Sequence, residues 1–237
     1  MSTSADTIVL TGGSAGIGTA IAARSRADGR RVINLSRRPC PIDGVVNLAV
    51  DLGEAAAVAD AIVRVRELIG ARGRVHLIHN AAFPIADAVT NFDARACEQA
   101  MRINVVTPAE LTAGLLPTMA PGSSVVFMGS TLSEKGVPGR LSYCATKHAL
   151  VGLLRATVQD LFGTGIHAVC VCPGFVDTPL LDPLRARGPE VMQQVLGMIS
   201  YGRLLTPEEV ADIVAFTLER PTLNGAVIHA NLGQREG

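Results

Sequence analysis

The stretch "TIVLTGGSAGIGTAIAARSRADG", Thr7 to Gly29, passes from a short apolar run through a glycine-rich turn into an alanine-rich helical pattern. A run of this length bounded by glycine reads as a buried strand, and the residues after Gly18 read as a helix. Strand, glycine turn, helix is how an open α/β sheet begins. Gly12, Gly16 and Gly18 form a G-x-x-x-G-x-G arrangement around Ser14 and Ile17. Glycine permits unusual backbone angles and close approach, and the free N–H groups and dipole at a helix start stabilise a pyrophosphate. A glycine turn by itself is equally a tight turn without ligand. Its position at the opening of an alternating sheet is what points to a dinucleotide.

Outward from that stretch, six further apolar runs follow: "RVINLS", "VVNLAV", "VHLIHN", "SVVFMGS", "HAVCVCP" and "AVIHANL". They are separated mostly by longer amphipathic stretches rich in alanine and leucine. Continuous apolar runs alternating with helices predict a Rossmann-type, doubly wound parallel sheet of about seven strands flanked by helices. No linker, repeat or low-complexity block divides the chain, so one domain over residues 1–237 is expected. Nearly half of the 237 residues are apolar, aromatics make up 3%, and tryptophan is absent, so the core must come from Ala, Val, Leu and Ile. The formal net charge is zero, which argues against duplex nucleic acid or an anionic membrane surface as partner and favours a small molecule. The amino terminus lacks the basic and apolar segments of a leader peptide, and no apolar run approaches the roughly 20 residues of a membrane span. A soluble, cytoplasmic protein is expected.

Cys40, Cys97, Cys144, Cys170 and Cys172 lack the paired spacing of a zinc site or of a secreted disulfide framework, so reduced thiols and no metal are expected. Cys170 and Cys172 should share one face of a strand. Prolines and glycines interrupt the pattern between Thr178 and Leu205, where a short helix around "VMQQVLGMI" fits either a lid over the strand ends or a surface connection.

The second strand ends in Ser36, Arg37 and Arg38, where an NAD-selective site would offer a carboxylate to the adenosine ribose. Arginine clamps a phosphate through parallel N–H contacts, so this strand end suits the 2′-phosphate of NADP. A solvated basic loop is the plain alternative. Further on, "GSTLSEKGVPGRLSYCATKHAL" spaces Ser130, Tyr143 and Lys147. Residues four apart on a helix share a face, so Tyr143 and Lys147 can point into one site. A phenol beside an ammonium and the positive end of a helix gives up its proton more readily than one in water. Ser130 sits at a strand end, where open α/β sheets bind ligands, and could hold a substrate oxygen.

Tyr-x-x-x-Lys alone is common in helices, but here the motifs occur in series. The chain resembles the short-chain dehydrogenase/reductase family, of the single-domain kind of about 250 residues, over essentially its whole length. "TGGSAGIG" is similar to that family's cofactor turn, Asp51-Leu52 to its adenine contact, and "HNAA", with Asn80 and Ala81, to its Asn-Ala-Gly motif. "INVV" is similar to the segment with its catalytic asparagine, and "PGFVDTP", with Pro173, Gly174, Val176 and Thr178, to its nicotinamide-side loop. "GRLLTPEEVADIVAFTL" is similar to its late helix. The resemblance implies Tyr143 as general acid in reduction and base in oxidation, and Lys147 as the holder of the nicotinamide ribose. It implies Ser130 as the group that orients the carbonyl, and Asn104, in a helix irregularity, as the anchor of a proton-relaying water. Three features depart from the family: Ala82 in place of a glycine, an ending "HANLGQREG" without Val-Asp-Gly-Gly, and Ala15 where many NADP-using members carry a basic residue.

Phe83, Leu132, Val137, Phe175 and Leu180, with Leu181, Met192 and Leu196, are candidate substrate contacts. They suit an apolar carbonyl compound, and they would equally be needed to pack a lid. Arg140 is expected to face solvent, and His79 and His148 to be structural. The helices around Tyr143 and "RACEQAMRINVVTPAELTAGLL" carry apolar residues beyond one stripe, and by resemblance a homotetramer or homodimer is expected. The function expected is an NADP(H)-dependent oxidoreductase interconverting a ketone or aldehyde with an alcohol. The alternatives are an NAD-dependent dehydrogenase, a nucleotide-binding regulatory protein without turnover, and an epimerase or eliminating enzyme that retains its cofactor.

Overall fold

All seven apolar runs form strands: β1 (Thr7–Thr11), β2 (Arg31–Ser36), β3 (Val46–Ala49), β4 (Val75–His79), β5 (Ser124–Met128), β6 (His167–Pro173) and β7 (Val227–Ala230). The computed structural model describes residues 6–71 and 73–235. Residues 1–5, on which part of the leader-peptide reading rests, and residues 236–237 of the "HANLGQREG" ending lie outside the described residues. The strands pair in the order β3-β2-β1-β4-β5-β6-β7, every pair parallel. β1, β4, β5 and β6 are buried at every position, because helices cover both sheet faces. The order reverses between β1 and β4, and an open α/β sheet leaves a crevice at such a point.

The helices are α1 (Gly16–Ala27), α2 (Ala55–Ile69), α3 (Ala94–Met101), α4 (Thr107–Leu115), α5 (Leu141–Asp160), α6 (Asp182–Arg185), α7 (Pro189–Gly197) and α8 (Pro207–Leu218). One core layer joins α2, α4 and α5 to the sheet through Val58, Leu111, Leu115, Leu150 and Leu154. The other joins α1 and α8 through Ile21, Ala22, Val210 and Val214. α8 starts at a capping box: Thr206 Oγ1 accepts from Glu209 N at 3.2 Å and Glu209 Oε2 accepts from Thr206 N at 2.9 Å. No helix among the described residues is long and apolar enough to cross a membrane.

The segment between β6 and α8 holds more helix than its sequence predicts: a 3₁₀ turn (Pro179–Leu181), α6 and α7. Prolines at the first turn of each piece explain this, since proline starts a helix as readily as it ends one. The base of the segment is pinned where Leu205 N donates to Phe175 O at 2.9 Å and Asp177 N to Leu205 O at 2.8 Å. Its far end is tied to the carboxy-terminal stretch, with Arg235 N donating to Met198 O at 2.7 Å.

Candidate active site

The glycine turn emerges from β1 at the switch point. Gly12 has φ of +73°, and a methyl group there would stand 2.9 Å from Ala81 Cα, so only glycine lets the turn and the loop after β4 approach this closely. Thr11 Oγ1 accepts from both Asn80 N and Ala81 N at 3.0 Å, and Asn80 Nδ2 donates to Gly12 O at 3.0 Å. The Nδ2 of Asn80, which also donates to Thr11 O at 3.2 Å, thus joins the ends of β1 and β4.

A cleft of about 360 Å³ opens beside this turn. It is lined by Gly12, Ser14, Gly16, Ile17 and Gly18, by Ser36, Arg37 and Arg38, by Asp51 and Leu52, and by Asn80 and Ala81. Every residue assigned from sequence to the dinucleotide turn, the second-strand loop and the adenine contact lies on it. Thr178 and Leu180 close its other side. Val50, Ile103 and Pro179 also line the cleft and were not singled out from the sequence, since small and aliphatic residues carry no motif signal. Phe83 and Leu180, read as substrate contacts, lie on this cleft. Arg37 and Arg38 are exposed, and neither guanidinium has a partner among the described residues. Bare main-chain donors at the start of α1, with two free guanidinium groups at the end of β2, fit a dinucleotide carrying an extra phosphate.

Tyr143 and Lys147, on the first turns of α5, meet the end of β5, after which Ser130 follows. Lys147 is buried; its Nζ donates to Met128 O at 2.7 Å and stands 5.4 Å from the centroid of the Tyr143 ring. One of its three ammonium donors is thus committed to the end of β5, two residues before Ser130. Ser130 opens a 3₁₀ turn (Thr131–Ser133), where its Oγ accepts from Leu132 N at 3.2 Å and its N–H donates to Ser133 Oγ at 3.1 Å. Tyr143 and Ser130 are both half-buried.

Asn104 lies in a π-helical turn (Arg102–Val106) that joins α3 to α4. Its Oδ1 accepts from Phe83 N at 2.7 Å, and its Nδ2 donates to Phe83 O at 3.1 Å and to Thr146 Oγ1 at 3.1 Å. The amide is fully engaged in holding the 83 loop to α5, so any water that Asn104 anchors must rest on its main chain. Asp87, on the same loop, is buried and accepts from Ser142 N at 2.9 Å and from the Ser142 hydroxyl. Arg140, the residue before α5, gives that helix no side-chain cap. Asp87 supplies the cap from 55 positions away. No local signal marks it in the sequence.

Other predicted residues fall further from the cleft. Pro173 and Gly174 end β6 against Ala230, whose carbonyl accepts from Gly174 N at 2.9 Å. Val176 turns its side chain into the core beside Leu205, which leaves only its main chain for a ligand. Phe175, Leu132, Leu181, Met192 and Leu196 are half-buried, and Val137 is exposed. Arg140 reaches Ile85 O at 3.4 Å and is half-buried, which corrects its reading as a solvent-facing residue. His148 is at the surface. His79 is buried, stacked 5.1 Å from Phe127, and burial pushes it down to about 3. Cys170 and Cys172 share a face, with Sγ atoms 3.7 Å apart, and all five cysteines are free. The Cys170 thiol is pushed well above the usual range, first by its hydrogen bond to Cys172 and then by burial.

With the fold, these positions place a phosphate-donor cleft at the switch point beside a group of Ser130, Tyr143 and Lys147. A family profile described as enoyl-(acyl carrier protein) reductase matches residues 12–234. The 2-(S)-hydroxypropyl-CoM dehydrogenase 3 of Xanthobacter autotrophicus is 32% identical over 231 residues, 90% of this chain and 89% of that one. The 3-oxoacyl-[acyl-carrier-protein] reductase MabA of Mycobacterium tuberculosis is 30% identical over 240 residues, 97% of this chain and 93% of its own. A solved 3-oxoacyl (acyl-carrier-protein) reductase from Agrobacterium tumefaciens C58, with NADP bound, has a TM-score of 0.87 at 27% identity, over 96% of this chain and 93% of that one. The chain belongs to the short-chain dehydrogenase/reductase family.

Proposed function

We propose that the protein is an NADP(H)-dependent oxidoreductase that interconverts a ketone or aldehyde with an alcohol, with Tyr143 as the general acid and base. The observation that carries this reading is the meeting of Lys147 with the Tyr143 ring at the end of β5, next to Ser130 and one strand from the dinucleotide cleft. A bound nicotinamide supplies the hydride. The protein's own groups supply position and the proton. In reduction the Ser130 hydroxyl donates to the carbonyl oxygen and fixes it against Tyr143, whose phenol passes its proton to that oxygen as charge develops there. The Lys147 ammonium, with two donors left, holds the cofactor ribose and stabilises the phenolate that remains. Oxidation reverses these steps.

Ser36, Arg37 and Arg38 support NADP over NAD, since no carboxylate stands at the end of β2 to meet ribose hydroxyls. The segment 178–205 serves as a lid in this reading, its pinned base acting as hinge. Exposed Val106, at the end of the π-helical turn, and Leu141, at the start of α5, support pairing between subunits in a homodimer or homotetramer. Substrates of the 3-oxoacyl and 2-hydroxypropyl kinds come first in a trial, because similar proteins carry those names.

The test is NADPH and NADH consumption against ketones, aldehydes and β-keto thioesters. Consumption of NADPH in step with alcohol formation supports the reading. Tight NADPH binding with no turnover across the panel favours a binding protein instead.

A further inference from the structure

Asn34 stands out in β2 as a fully buried amide within an otherwise apolar run. Its Oδ1 accepts from Gly13 N at 2.8 Å. A side chain at Gly13 would place its first carbon 2.6 Å from that oxygen, so the glycine there serves the contact. The Nδ2 of Asn34 donates to Ser36 Oγ and to Asn47 Oδ1, both at 2.9 Å. Asn47 is the register partner of Asn34 on β3. Ser36 Oγ in turn donates to Arg38 O at 2.5 Å, and Asn47 Oδ1 accepts from Cys40 N at 2.8 Å.

These bonds form one relay. At one end it fixes the glycine turn, and at the other it fixes the main chain on both sides of Arg37 and Arg38. The two arginines have no side-chain partner among the described residues, so their aim is set by the backbone that carries them. A loop held at Ser36, Arg38 and Cys40 has lost its freedom before ligand arrives, which lowers the ordering cost of binding.

We infer that Asn47, acting with Asn34, is a specificity-determining positioning residue: it holds the 36–40 loop so that Arg37 and Arg38 meet the adenosine 2′-phosphate. This rests on the NADP reading above. Asn34 holds the pyrophosphate turn directly through Gly13 N, whereas Asn47 holds the loop directly at Cys40 and reaches the turn only through Asn34. The two residues should therefore fail differently. Loss of Asn47 should harm recognition of the phosphate alone, and loss of Asn34 should harm binding of both cofactors.

The experiment measures dissociation constants for NADPH and NADH by cofactor fluorescence in the parent, Asn47→Ala, Ser36→Ala, Arg37→Ala/Arg38→Ala, and the triple variant Asn47→Ala/Arg37→Ala/Arg38→Ala. Asn47 lies on an edge strand with its side chain partly in solvent, so Asn47→Ala should fold, and Ser36→Ala tests the other arm of the relay. The expected result is NADPH affinity lowered by about tenfold in Asn47→Ala with NADH affinity within about twofold of the parent. Adding Asn47→Ala to the double arginine variant should then change nothing further, since residues acting through one another are not additive. Equal losses for both cofactors, no loss for either, or a full additional loss in the triple variant would overturn the inference while leaving a parent preference for NADPH intact. A parent without preference for NADPH overturns the NADP reading itself.

Discussion

Most residues lining the dinucleotide cleft fall in three short blocks of sequence, 12–18, 36–38 and 50–52. The Ser130, Tyr143 and Lys147 group is supported instead by contacts between residues 21, 42 and 55 positions apart. Most of the cleft lining is local backbone, a turn, a strand end and a loop shaped by glycine and short polar residues, closed by Asn80 and Ala81, which Thr11 holds from 69 and 70 positions away. The catalytic group depends on the loop at residues 83–87 being clamped between the π-helical turn at Asn104 and the first turn of α5. Chemistry written in adjacent residues shows in the sequence, while the clamp that positions it comes from folding.

Substitutions can separate the two regions, because each should fail without the other. The largest effect belongs to the catalytic side. Tyr143→Phe keeps the ring under Lys147 and removes the proton donor, so kcat should fall by about 10³-fold while the NADPH dissociation constant stays within about twofold. Steady-state rates with cofactor fluorescence titration read both numbers. Gly12→Ala attacks the cleft. The positive φ and the approach of Ala81 should lower affinity for either cofactor by about 30-fold and also lower the melting temperature by a few degrees, while kcat at saturating cofactor changes little by comparison. If that variant instead kept its affinity and lost only kcat, the division between the regions would be wrong.

The clamp itself is tested by Asp87→Ala. It leaves the Ser142 amide and hydroxyl without their buried acceptor, which should cost about 2 kcal/mol in urea unfolding and lower kcat more than it raises the KM for NADPH. Asp87→Asn, which still offers an oxygen to Ser142 N, should recover much of both. A last effect is in pH. His79 is held down at about 3 by burial, and His76 at about 4, mainly by burial and against the pull of Asp6. Each binds a proton more readily unfolded than folded, so its contribution is full above the unfolded value of 6.5 and is lost as pH falls towards the folded one. Stability should therefore drop by about 1.4 kcal/mol per pH unit per histidine between about pH 6 and 4. His79→Asn should flatten the curve by one such share, as read by urea titration at several pH values.

Strand number, their alternation with helices and the position of the glycine turn were all legible, because a buried parallel strand needs an uninterrupted apolar run and a turn of this kind needs glycine. Asn104 could be placed only through its family resemblance; nothing in "INVV" itself announces a π-helical turn. Asp87 left no trace, as its partner Ser142 is distant in sequence and the loop between carries no periodicity. Asn34 did leave one, a carboxamide within "RVINLS", which acquires meaning only when β3 brings Asn47 beside it. The half-buried Arg140 was misread for the same reason: its acceptor, Ile85 O, belongs to the clamp.

The central claim, that Tyr143 serves a hydride transfer between NADPH and a carbonyl carbon, is tested most directly with NADPH deuterated at nicotinamide C4 and the best carbonyl substrate. Mass spectrometry of the alcohol should find one deuterium on the carbinol carbon for each NADPH consumed in the parent, and no product above background in Tyr143→Phe. Product formed without deuterium and without loss of NADPH, or label transferred equally well by Tyr143→Phe, would contradict it.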